Sequence, residues 1–133
     1  MEKNGLEFGN LLIDKDGKER PIVTIEVDGV KFFKYYLNGV DKKSGRKTGI
    51  IDEEITPFEL INPIPLTEDW LRRFGFKESN LALLGFNGIE LLRRDGGYLY
   101  WNSIPSDRVI KYVHQLQNLY FALTEEVLNT VDL

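Results

Sequence analysis

Residues 22–27 (Ile-Val-Thr-Ile-Glu-Val) and 30–36 (Val-Lys-Phe-Phe-Lys-Tyr-Tyr) are β-branched and aromatic runs separated only by Asp28-Gly29. Two extended runs joined by two residues must turn back on each other. Asp-Gly supplies the positive φ that both centres of a type I′ turn require. A lone hairpin is marginal in water, so other strands must flank this one. Leu11-Leu12-Ile13, Gly49-Ile50-Ile51 and residues 56–61 read as such strands, and Asp14-Lys15-Asp16-Gly17-Lys18 reads as a turn. About five short strands before residue 62 predict a small, partly closed β-barrel, with an SH3-like closure as one form and a two-layer sheet as the alternative.

Asn62-Pro63-Ile64-Pro65 then ends the strand region, because proline removes donors and keeps its neighbours extended. Thr67 to Gly75 carries complete helix punctuation: Thr67 to cap, Glu68 and Asp69 in the first turn, Arg72 and Arg73 in the last, Gly75 beyond. Residues 81–84, 89–93 and 98–101 predict a three-stranded meander. A last helix is predicted over 107–123 with Ser106 or Asp107 as cap, since Val109, Val113, Leu116, Tyr120 and Leu123 share one face. Thr124 to Leu128 reads as a capped final turn whose Val127 and Leu128 can close over the core. The expected fold class is α+β. A small β-barrel module over 1–62 is followed by a helix–meander–helix module over 63–133, and the two short spans share a core.

Composition narrows the chemistry. There is no cysteine and one histidine among 133 residues. Disulfides, thiolate metal sites and cysteine nucleophiles are thereby excluded, as is any site needing two histidines. No cofactor is expected, since neither a Walker A nor a Rossmann glycine pattern occurs. The net charge of -4 is spread evenly along the chain, without the basic tail common in phosphate-binding domains. No secretory leader or membrane-length apolar run is read, and the cytoplasm is the expected compartment.

Three segments carry a resemblance: Phe8-Gly9-Asn10-Leu11-Leu12, residues 64–76 (Ile-Pro-Leu-Thr-Glu-Asp-Trp-Leu-Arg-Arg-Phe-Gly-Phe), and residues 111–124 (Lys-Tyr-Val-His-Gln-Leu-Gln-Asn-Leu-Tyr-Phe-Ala-Leu-Thr). Together they resemble a family of small uncharacterised proteins from Bacteroidota genomes and their phages. The likeness runs end to end. Where the family closes with Gly-Glu-Glu-Leu, this chain has Glu125-Glu126-Val127-Leu128. The resemblance implies a source and an architecture, and no mechanism. A phage or mobile-element origin would imply a host-interaction or anti-defence role by analogy.

Two groups of residues are candidate sites. His114, Gln115, Gln117, Asn118 and Tyr120 place an imidazole, amides and a phenol on the last helix, where a packing helix would carry Lys and Glu. Buried amides must be paired. They either hold the two modules in register or line a groove for a ligand or peptide. Lys31, Lys34, Tyr35 and Tyr36 with the loop residues Lys42, Lys43, Arg46 and Lys47 form a candidate nucleic-acid face, because exposed strand aromatics stack on bases and cations hold phosphates. No catalytic residue and no metal ligand set is selected. The first reading is therefore a non-catalytic binding or interaction protein for an unknown protein or small ligand. Nucleic-acid binding is the second reading, and carboxylate-based catalysis the third. A homodimer would cover an open edge strand.

Overall fold

The computed structural model describes residues 5–40, 47–79, 83–100 and 109–129. The chain divides into two compact units, Met1–Ile64 and Pro65–Leu133. Among the described residues it forms eleven strands, one 3-10 turn and two α-helices.

The first unit comprises β1 (Leu11–Ile13), β2 (Glu19–Ile25), β3 (Gly29–Val40), β4 (Lys47–Ile51), β5 (Thr56–Pro57), the 3-10 turn Phe58–Leu60 and β6 (Asn62–Pro63). They form one antiparallel sheet in the order β4-β3-β2-β1-β6, with β5 also paired to β3. Alternation along the strands turns Leu12, Ile22, Val30 and Phe32 to one side, where Leu6 and Ile61 complete the buried cluster. Ile25 and Phe58 pack against it.

The expected barrel does not form. The last segment, β6, pairs with β1, so β4 and β6 end the sheet without meeting. The central hairpin also differs from the sequence expectation. Ile25 faces Val30, and Glu26 N–H donates to the Gly29 carbonyl at 2.8 Å, so the bend falls on Val27 and Asp28. None of Val27, Asp28 and Gly29 has positive φ. Gly29 answers a different need: a Cβ there would meet the Thr56 carbonyl oxygen and lie 2.7 Å from Ile55 Cγ2. Glycine at this position lets β5 approach β3.

The second unit comprises α1 (Glu68–Arg73), β7 (Lys77–Glu78), β8 (Leu83–Phe86), β9 (Ile89–Arg94), β10 (Gly97–Tyr100), β11 (Val109–Ile110) and α2 (Val113–Thr124). Its strands form an antiparallel sheet in the order β11-β10-β9-β8-β7. The type I′ turn expected at Asp28-Gly29 is found here instead. Phe86 faces Ile89, and Asn87 and Gly88 between them have φ of 53° and 84°. Leu84, Ile89, Leu91, Tyr98 and Ile110 are buried, as are Trp70, Leu71, Phe74 and Phe76 from α1 and its exit and Val113, Leu116 and Tyr120 of α2.

Helix α1 ends as its residues predict. Thr67 Oγ1 accepts from Trp70 N–H at 3.3 Å. Phe76 N–H reaches the Leu71 carbonyl and Gly75 N–H the Arg72 carbonyl, closing a Schellman motif over Gly75 at φ 101°.

The α+β helix–meander–helix module is overturned by the strand content. The chain is mostly β, with two antiparallel sheets and short helices. The expected meander is extended on both sides by β7 and β11, each two residues long. Val109 and Ile110 belong to β11, paired with Leu99 and Tyr98, so the last helix starts at Val113. The caps expected at Ser106 or Asp107 lie outside the described residues. At the other end Leu128 is buried while Val127 stays exposed.

Candidate binding surface

The polar residues of α2 divide by position on the helix. Gln115 is spent on its start: Oε1 accepts from Lys111 N–H at 2.9 Å and Tyr112 N–H at 3.2 Å. This satisfies donors left open before the first turn. Tyr120 is buried with its ring stacked on Phe86 at 5.9 Å, and its hydroxyl accepts from Asn87 Nδ2 at 2.9 Å. Asn87 sits at the β8–β9 turn, so this bond ties that turn to α2. Gln117 and Asn118 are half-buried and engaged in further interactions.

His114 is the exception. It is 6% exposed and its ring lies parallel to that of Tyr112 at 5.9 Å. Its Nδ1 is buried without a hydrogen-bond partner. Burial pushes its pKa below the ordinary 6.5, so the imidazole is neutral near pH 7.

Of the nucleic-acid candidates, Lys31 and Lys34 are the two whose side chains are described. Lys31 and Lys34 are three apart on β3 and project from opposite faces. Lys34 Nζ lies 2.9 Å from Asp52 Oδ2. That hydrogen bond raises the Lys34 pKa and lowers that of Asp52. Tyr35 and Tyr36 lie in β3 and Lys47 in β4, with side chains outside the description. Lys42, Lys43 and Arg46 lie outside the described residues.

Two charged clusters escaped the sequence reading. In the first unit, the Asp14 carboxylate is 4% exposed. It accepts from Asp16 N–H at 2.9 Å, Lys18 N–H at 3.0 Å and Arg20 Nε at 2.8 Å. The Asp-x-Asp-Gly spacing announced a turn, but nothing local announced Arg20. In the second unit, Arg93 on β9 binds the carboxylates of Glu68 on α1 and of Glu78 on β7, the latter at 2.9 Å. Arg93 holds the Glu68 carboxyl below its usual range. No sequence periodicity links these three, because the packing of α1 over the sheet brings them together. Beside them, Arg93, Arg94 and Asp95 line a depression of about 360 Å³ that is wide open to solvent. Ligand sites are usually concave and mostly apolar, so this one has the form of a groove at a turn.

Among the described residues no group of three or more His, Asp or Glu side chains is arranged to hold a metal ion. No helix among them is long and apolar enough to cross a membrane. Comparison with known protein families, curated proteins and solved structures gave no match.

Proposed function

We propose that the chain is a non-catalytic binding or interaction protein of the cytoplasm. The observation that carries this reading is where polar side chains of the described residues are spent, the buried and unpartnered Nδ1 of His114 apart. Asp14 is saturated by its own turn and Arg20, Lys34 by Asp52, Glu68 and Glu78 by Arg93, Gln115 by a helix start, and Tyr120 by Asn87. A catalytic carboxylate or base must instead be placed to meet a substrate proton. Large apolar side chains remain in solvent: Ile50, Ile51, Phe121, Leu123 and Val127 are each between 46% and 64% exposed. The absence of cysteine suits a reducing compartment.

The test is a hydrolysis screen on the full chain with nucleotide and ester substrates, with and without added divalent metal. No turnover above buffer is expected. Metal-dependent turnover that disappears with Glu68→Gln or Asp52→Asn would overturn the reading.

A further inference from the structure

β4 is the open edge of the first sheet. β3 runs along one side of it and, among the described residues, no strand runs along the other. The opposite end of the sheet, β6, is two residues long and contains Pro63, which has no N–H to offer. Asp52 N–H donates to the Phe32 carbonyl at 2.8 Å, and the pairing continues as Ile51 with Phe33, Ile50 with Lys34 and Gly49 with Tyr35; the register then shifts, with the extra residues in β3, before Val40 pairs with Lys47. Bonds alternate along an antiparallel ladder. Asp52 and Ile50 therefore bond to β3, while Gly49 and Ile51 aim their N–H and C=O at the open side. Ile50 and Ile51 are also 48% and 52% exposed. Unpaired backbone groups beside exposed aliphatic side chains form a template for another strand.

The flanking charges say which strand. Lys47 opens β4, and Asp52-Glu53-Glu54 follows it. We propose that β4 pairs antiparallel with β4 of a second copy of this chain, about a twofold axis at Gly49. Only residues with outward backbone groups can bond, which sets Gly49 opposite Gly49, Lys47 opposite Ile51 and Thr48 opposite Ile50 of the second copy. The Lys47 end of each β4 then lies beside the start of the acidic run 52–54 of the other chain, an arrangement in which opposite charges attract. The contact is isologous, so it occurs twice. Parallel pairing would put Lys47 beside Lys47 and acidic run beside acidic run. The dimer stands whether or not the chain has another partner or an activity, so a failure of either reading leaves the other intact.

Sedimentation equilibrium of the full chain tests this. The wild type is expected to dimerise. Ile51→Lys sets a lysine opposite Lys47 of the second copy. It is expected to weaken the dimer at least about tenfold with its circular dichroism spectrum unchanged, and adding Lys47→Glu is expected to restore it. The cysteine-free sequence allows a second readout that tolerates a poorly folding variant. Thr48→Cys mixed with Ile50→Cys is expected to form an intermolecular disulfide, which Thr48→Cys alone does not. A wild type that is monomeric at about 100 μM, a dimer indifferent to Ile51→Lys, or Thr48→Cys cross-linking to itself as fast as to Ile50→Cys would each overturn the proposal.

Discussion

His114 and Asp14 are both buried, and they are satisfied to opposite degrees. The Nδ1 of His114 has no partner, and burial lowers its pKa below 6.5. The unfolded chain takes up a proton at about its ordinary value while the folded chain resists it. The contribution of His114 to stability is therefore whole above pH 6.5 and falls as the pH drops from there toward the folded pKa. Chemical denaturation across that window should show stability falling with acid, and His114→Leu should flatten the slope. An equal slope in both proteins would refute the assignment. Asp14 is the reverse case, with three donors on one buried carboxylate. Removing it strands Arg20 and two backbone N–H groups, so Asp14→Ala should cost about 3 kcal/mol in urea denaturation. The turn around Asp14 was legible in the sequence, because Asp-x-Asp-Gly is local chemistry. The orphaned imidazole was not, since the identity of a helix residue does not say what packs around it.

At the scale of elements, legibility followed how local each signal was. Thr67, Glu68, Asp69, Arg72, Arg73 and Gly75 act within one short helix, and α1 carries the cap and Schellman closure they spell out. Val109 and Ile110 fit the stripe of the last helix equally well, and pairing with β10 drew them into a strand. The two-residue strands β5, β6, β7 and β11 are too short to carry any period. At the central hairpin, glycine was read as a turn residue and proved to be a point of close strand approach. The end of α2 gives a prediction of its own. Glu125 closes it in the left-handed conformation, φ 60°, and its N–H donates to the Phe121 carbonyl. A side chain pays about 1 kcal/mol for that conformation and glycine does not. Glu125→Gly should raise stability by about that amount, read as a higher denaturation midpoint, and a lowered midpoint would show that the Glu125 side chain holds the turn.

At the scale of the molecule, each unit is built on one antiparallel sheet. The strand-rich character of the first unit was visible in its β-branched runs. Whether its sheet closes was not, because closure depends on which edge the last segment joins, and β6 joined β1. That choice leaves β4 as an open edge, and we place contact with a second copy there. Amide hydrogen exchange at increasing protein concentration tests this most directly. Ile50 and Asp52 face β3 and should be protected at every concentration. Gly49 and Ile51 should exchange freely in dilute solution and become protected as concentration rises. Free exchange of Gly49 and Ile51 at all concentrations, or protection of both in a sample that sedimentation shows to be monomeric, would contradict this pairing.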